Sequence, residues 1–334
     1  MSRAAALRLL APLMLLALLQ PAAAAPQSPQ PAPHAAARSA QFAQFNYRLD
    51  PQRIADGVYV FVGRSEDFSP ANGGNIVNTG FIVGADGVVV IDTGPSRRYG
   101  EQMLAAIRRV TALPVVLTVN THHHPDHFLG NQAFPADTLA ALPATRRGIE
   151  TDGNAFSENL YRMAGDWMAG TERVVPARTL TPGRTTVGGR ELEFLALDGH
   201  TGADLLVIDV ATGTVFAGDL LFHDRAPTTP HADPRRWLAA LAQLEALPAR
   251  RWVPGHGAPA TDLGPLRQTR DWLEWLDAGM RAGAEAGLDM TEMLARPLPP
   301  QFRRLAEAGS EYRRSVIHLF PAAEQAALEV GHAH

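Results

Sequence analysis

The chain has 334 residues, 46% of them hydrophobic and 19% charged, enough apolar material for one large or two medium folded units and too much for global disorder. The formal net charge is −4 and every basic side chain is arginine, which argues against nucleic acid as the main partner, since that needs a basic patch. There is no cysteine, which excludes disulfides, thiol nucleophiles, thiolate metal ligands and a lipid-modified cysteine anchor.

The first residues read as an export signal. Arg3 and Arg8 give a positive start, Leu9 to Leu19 is apolar, and Ala22 to Ala25 offers small residues for cleavage. Residues 1–25 are therefore expected to be a signal peptide, and the protein periplasmic or secreted. The apolar run is shorter than the ~20 residues of a membrane span, so no stable membrane anchor is expected. Residues 26–50, rich in Pro, Ala, Gln and Ser at their start, are expected to form a disordered linker.

The folded region opens with a strand at Val58 to Val62 and a Gly-, Asn- and Ser-rich loop from Gly63 to Gly74. A second strand is expected over Asn75 to Val83. An Asp86-Gly87 turn follows, then the unbroken apolar run Val88 to Ile91, the mark of a strand buried on both faces. Asp92-Thr93-Gly94 closes it; the aspartate suits either a support for a site above the sheet or a simple turn or helix-cap role. Arg98 to Val110 reads as an amphipathic helix with Met103, Leu104, Ile107 and Val110 on one face. Val115 to Val119 is the fourth strand. Strand, helix, strand and polar loop is the α/β arrangement whose sites lie beyond the strand ends.

That loop is Thr121-His122-His123-His124-Pro125-Asp126-His127, four histidines and an aspartate in seven residues. Neutral histidine is the commonest protein metal ligand, and aspartate is a hard oxygen ligand. One metal needs three or four ligands, and a catalytic zinc keeps one position open. The loop holds too many ligands for one such site and too few for two. Three further strand ends offer candidates: His200 in Asp198-Gly199-His200-Thr201, Asp219 in Gly218-Asp219, and His256 in Trp252-Val253-Pro254-Gly255-His256-Gly257.

Taken together in this order, these elements resemble the metallo-β-lactamase-fold hydrolases over roughly residues 55 to 262. The resemblance implies a four-layer αββα sandwich of the α/β class with the metal site at one edge of two sheets. It implies His122, His124 and His200 on a first metal, Asp126, His127 and His256 on a second, and Asp219 bridging both. Two Zn2+ per chain are expected, with Fe or Mn not excluded by a mixed His/Asp set. Phe68 to Asn75, Asp92 to Ser96, Gly165 to Met168 and Arg225 to Asp233 are further similar to the quinoprotein relay system zinc metallohydrolases, exported proteins found beside PQQ-dependent dehydrogenase systems. A bridging aspartate at Asp219 is unlike the Cys-containing lactamases, so antibiotic hydrolysis is not the expected activity.

The chemistry so implied is hydrolysis of a small ester, thioester or amide by a metal-bound hydroxide, with Asp126 both ligand and orienting group. A mononuclear iron enzyme of the persulfide dioxygenase type is the alternative within enzymes; it would show one iron per chain and oxygen uptake. A non-catalytic periplasmic binding or relay component would keep the metal and show no turnover. His123 is expected to be a loop residue outside the ligand set. His231 suits substrate contact, proton donation or a structural role, and Asn72 and Asn75 suit substrate contact or turn chemistry.

Later in the chain, Asn154 to Met168 is an aromatic, polar helix candidate, suited to a pocket wall or to outer-layer core. Hairpins are expected over Thr185 to Leu197 and Leu205 to Phe216, and helices over Pro234 to Leu247 and Leu266 to Met280. The domain of residues 51–262 would then be followed by a helical extension, 263–334, with short helices at Met290 to Leu294, Phe302 to Leu305 and Tyr312 to Phe320. That extension could close the pocket or pair with another subunit. His332 and His334 are expected in a disordered tail.

Overall fold

The computed structural model describes residues 45–331. The expected signal peptide, residues 26–44 of the expected linker, and His332 and His334 lie outside the described residues. Residues 45–50 do not behave as linker. Phe45, Tyr47 and Leu49 alternate with exposed Asn46, Arg48 and Asp50, so one face of this short segment is apolar and buries. Tyr47 packs on Trp167 at 4.5 Å and on Tyr99 at 5.1 Å between ring centroids.

Two sheets carry the architecture. The first runs in sequence order, β1 (Gln52–Ala55), β2 (Val58–Phe61), β3 (Thr79–Val83), β4 (Val88–Ile91), β5 (Val115–Asn120), β6 (Leu139–Ala141) and β7 (Arg178–Thr179). It is antiparallel as far as β4 and parallel beyond. The second has β8 (Gly183–Val187), β9 (Arg190–Leu197), β10 (Asp204–Asp209), β11 (Thr214–Phe222) and β12 (Arg251–His256), with β11 and β12 parallel at one edge. Val60, Ile82, Val89, Ile91, Leu117 and Val119 face Leu192, Phe194, Leu205, Val207, Phe216 and Val253 across the gap. Each such side chain contributes about 1.5–3 kcal/mol by leaving water.

Helices cover both outer faces. Helix α1 (Arg97–Val110) starts at Ser96, whose hydroxyl accepts from the Tyr99 N–H. It lays Tyr99, Met103, Ala106 and Ile107 against Phe61, Phe81, Val88 and Val90 of the first sheet. A one-turn helix, α2 (Pro125–Phe128), and a long α3 (Pro143–Ala164) follow on the same side of the chain order. Helix α3 begins eleven residues before the expected start and runs into a 3-10 turn over Gly165–Met168. On the second sheet, α4 (Pro234–Glu245), α5 (Gly264–Glu285), α6 (Met290–Ala295) and α7 (Ala308–Gly331) bury Trp237, Trp272, Leu276, Met293, Val316 and Phe320 with Trp252 and Leu220. The layers are therefore helix, sheet, sheet, helix, and the C-terminal helices share the core of the second sheet.

Two expected elements are shorter or absent. Phe302 to Leu305 is turn, not helix. Asn75 to Asn78 is not strand: Asn78 donates its backbone N–H to the Gly255 carbonyl of the other sheet, at 2.7 Å, so pairing within the first sheet begins only at Thr79. No helix among the described residues is long and apolar enough to cross a membrane.

Candidate metal centre

Strand register brings the sequence clusters to one edge of the sandwich. β5 lies parallel to β4 with Val119 beside Ile91, and the loop that leaves β5 therefore sits directly over Asp92. Pro125, with its fixed φ, starts α2 and places Asp126 and His127 on a single turn. After β9, Gly199 takes φ +145°, and a Cβ there would lie 2.3 Å from the Trp237 backbone, so the turn that presents His200 needs glycine. Asp219 is not at a strand end as the sequence suggests. It lies inside β11, where a register shift against β12 on either side of Gly218 breaks the ladder and re-aims the chain. At the end of β12 a Cβ on Gly255 would fall 1.9 Å from Asp219 Oδ1, so only glycine lets the two edge strands share this corner.

Seven side chains converge there, all buried. His122, His124, His200 and Asp219 form one group, and Asp126, His127 and His256 a second, each with its ligand atoms within 4.8 Å of one another. The Asp219 carboxylate stands between them. Oδ2 is 3.3 Å from both His200 Nε2 and His256 Nε2 and 3.9 Å from His122 Nε2, while Oδ1 is 3.1 Å from His127 Nε2. Asp126 Oδ2 lies 3.4 Å from His256 Nε2 and 3.8 Å from His127 Nε2. His122 Nε2, His127 Nε2 and Asp219 Oδ1 are buried yet make no hydrogen bond. Buried polar atoms are almost always satisfied, and three orphans converging on one space fit cations as their common partner.

The outer nitrogens are held by the fold. Asp92 sits in the left-handed region, φ 57°, and accepts from the Thr121 N–H at 2.7 Å and the Thr121 hydroxyl at 2.8 Å. Its Oδ2 also lies 2.8 Å from His127 Nδ1. His256 Nδ1 donates to the Ile76 carbonyl at 2.8 Å. Asp92 is thus the support above the sheet, not merely a turn residue. Asn78 donates to the carbonyls of Pro254 and Gly257 and accepts from the Gly63 N–H, stapling the His256 turn. Nothing in the sequence marks Asn78 for this.

Burial decides the protonation states. It pushes His122 and His124 well below the ordinary histidine value and His200 down to about 3, so these three imidazoles are neutral, the form that binds a metal. His127 goes the other way. Burial lowers it, but the carboxylates of Asp219, Asp92 and Asp126 outweigh that and hold it well above the usual value. Asp219 stays ionised: burial opposes its charge, and His256 and His127 more than offset that. A buried carboxylate cluster that keeps a proton on His127 is asking for a cation in the proton's place.

A pocket of about 210 Å³ opens over the centre, with Asp126, Asp219 and His256 in its floor. Phe156, Asn159 and Met163 of α3 make one wall, so the segment around Asn154 to Met168 is wall as well as core. Phe68 and Ile76 come from the glycine-rich loop. Asn75 does not line the pocket, and Asn72 is consumed by the loop itself, accepting from Ser69 N–H and Gly74 N–H. The Asn75 backbone N–H bonds the Asn72 carbonyl, its side-chain Oδ1 is buried without a hydrogen bond, and its neighbour Ile76 is the residue of this pair that lines the pocket. His231 lines the rim and reaches His124. His223 turns away to the Ala258 carbonyl. His123 packs on α3 at Gly148 and is absent from the two groups at the centre. Arg225, at the head of the Arg225 to Asp233 stretch, and Arg314, which nothing in the sequence marks, also line the pocket. Arg225 is buried against Glu311 at 3.1 Å, and Arg314 links Glu311 to Asp67 across the mouth.

A two-sheet sandwich with histidines and aspartates gathered at one edge is a metal-binding α/β scaffold. The metallo-beta-lactamase superfamily profile matches residues 72–256, and the chain belongs to that superfamily. It is 23% identical over 278 residues to the linear primary-alkylsulfatase of a Pseudomonas species, covering 70% of this chain and 52% of that protein. It is 25% identical over 175 residues to the hydroxyacylglutathione hydrolase of a Cyanothece species, covering 49% of this chain and 61% of that protein. The chain thus spans about half to three-fifths of the length of these relatives. The metallo-beta-lactamase from Pontibacter korlensis superposes with a TM-score of 0.54 at 24% identity, over 68% of this chain and 99% of that one, a likeness of fold.

Proposed function

We propose that the protein is an exported, dinuclear zinc hydrolase that cleaves a small ester, thioester or amide, working alongside a PQQ-dependent dehydrogenase system. The observation that carries the hydrolytic reading is Asp219, one carboxylate within 3.9 Å of four imidazoles from both groups. His122, His124 and His200 would hold one ion, Asp126, His127 and His256 the other, with Asp219 shared. Two divalent ions so held would supply a water of lowered pKa, from ~15.7 toward about 7, and a Lewis acid for the substrate oxygen. The protein's own groups do the rest. Asp126, which lines the pocket, would orient that water while holding its ion. Phe68, Ile76, Phe156 and Met163 shed bulk water around the scissile group, which strengthens every polar interaction there. The names of the relatives, an alkylsulfatase and a hydroxyacylglutathione hydrolase, support a hydrolase, and the quinoprotein-linked setting rests on the sequence resemblance of Arg225 to Asp233.

The test is metal content per chain after gentle purification, then a screen of chromogenic esters, thioesters and β-lactams on the same sample. Two zinc ions and ester or thioester turnover that is lost in His122→Ala and His256→Ala are expected. A single iron with oxygen uptake, or two ions with no turnover on any class, sinks the proposal.

A further inference from the structure

We infer that His231 locks His124 in its metal-binding tautomer and, through the same chain of hydrogen bonds, presents a fixed N–H donor to the substrate. This rests on the reading of the centre given above. His124 has two ring nitrogens, and the fold gives each a different neighbour. Nδ1 lies 2.9 Å from His200 Nε2, the atom that stands 3.3 Å from Asp219, so Nδ1 faces the centre. Nε2 lies 2.8 Å from His231 Nδ1. A neutral imidazole that offers its Nδ1 lone pair to a cation carries its proton on Nε2. That proton must be donated to His231 Nδ1, which is then a lone-pair acceptor. A neutral His231 therefore carries its own proton on Nε2, and His231 lines the pocket together with Phe156 and Pro230.

The arrangement differs from those around the other ligands. His127 leans on the Asp92 carboxylate, His256 on the Ile76 backbone carbonyl and His122 on the Thr121 hydroxyl, while His200 Nδ1 makes no hydrogen bond. Only His124 passes its outer nitrogen to a pocket side chain. The loop that carries His231 is tied down for the task. Ala232 N–H donates to Thr229, Asp233 N–H to Gly199 beside His200, and Thr229 Oγ1 meets Ser315 Oγ of α7 at 2.7 Å. The His231 ring is exposed on one side and lies 5.6 Å from His123, 6.0 Å from Phe156 and 5.1 Å from His124 between ring centroids. Filling the first metal position thus sets the direction of a donor one residue further out, where the substrate's carbonyl or leaving group would meet it.

The test uses the full chain loaded with zinc. Nitrogen-15 spectra of the histidine rings should show His231 protonated on Nε2 and bare on Nδ1, and chelation of zinc should release that preference. His231→Phe keeps the bulk and removes the acceptor, while His231→Gln restores both an acceptor and a donor. His231→Phe should weaken one of the two zinc sites by ~10–100-fold in chelator competition and leave the other unchanged. It should also lower kcat/KM on a chromogenic aryl ester, and His231→Gln should recover most of both. Parental zinc affinity in His231→Phe, or a proton on His231 Nδ1 in the loaded protein, overturns the inference. A parent that binds zinc but hydrolyses nothing sinks only the proposed function, since the spectra and zinc titration still decide the tautomer. A parent that takes up no zinc overturns both.

Discussion

Asp92→Asn is the sharpest probe of how the centre is built. Asparagine tolerates the left-handed backbone, so φ 57° is not the reason the change should matter. The hydrogen bonding is. Asp92 Oδ1 accepts from the Thr121 N–H, and Oδ2 accepts from both the Thr121 hydroxyl and His127 Nδ1, at 2.7 to 2.8 Å. An amide has one acceptor oxygen. Turned one way, its NH2 opposes the Thr121 N–H; turned the other, it opposes His127 Nδ1–H. Either way a buried donor loses its partner, at about 1–3 kcal/mol. The lost charge also removes one of the three carboxylates that hold the proton, and in the loaded protein the basicity, of His127. Support of this kind is worth ~10–100-fold in metal affinity, about 1.4–2.7 kcal/mol. Chelator competition should show that loss for one zinc ion only, on the side of Asp126, His127 and His256. Urea unfolding of the metal-free protein should show a loss of about 2 kcal/mol. Two zinc ions at parental affinity, together with unchanged stability of the metal-free protein, would refute the reasoning.

Gly255→Ala should fold yet fail to load, because its methyl would sit 1.9 Å from Asp219 Oδ1; zinc content near or below one per chain with native circular dichroism is the expected result. Arg225→Met leaves Glu311 buried with only Thr228 and Arg314 to meet it, and should cost about 3 kcal/mol in urea unfolding, whereas the double variant Arg225→Met, Glu311→Leu should regain most of it. Metal-free protein should lose stability as pH falls below 6.5. His122, His124 and His200 have folded pKa values below the unfolded one, so the unfolded chain binds the extra protons, and the loss extends down to about pH 3 for His200. Each histidine held neutral adds a slope of up to ~1.4 kcal/mol per pH unit. Asp204, pushed up to about 7 by burial, works with the opposite sign, losing its contribution as pH rises from about 4 to 7, so Asp204→Asn should steepen the net acid loss measured by thermal unfolding.

What the sequence reveals here follows from how dense the signal is. Thr121 to His127 stands out because polar ligands follow a fully apolar strand, and the pairing of β4 with β5 then makes Asp92 its neighbour. The same logic conceals Asp219's position. β11 is buried at every residue, so Leu220 to Phe222 look no different from the start of a new segment, and only the register shift beside Gly218 shows that the strand runs on. Helix α3 is hidden for a related reason. Gly148 and Gly153 are poor helix formers, yet a Cβ at the first would press on His123 at 2.7 Å and at the second on Arg173 at 2.6 Å. Those glycines are demanded by packing across the chain, which no local pattern records. The pocket's charged wall lies further still from local reach. Arg225 and Glu311 are 86 residues apart, and although Arg225 heads a stretch the sequence singles out, nothing local pairs it with Glu311. Burying them together places α7 against the loop that carries His231, through Thr228 to Glu311 and Thr229 to Ser315. The ligands of such a centre can therefore be read from their spacing, but the side chains that aim them and shape the substrate's space depend on contacts made only once the second sheet and its outer helices have closed.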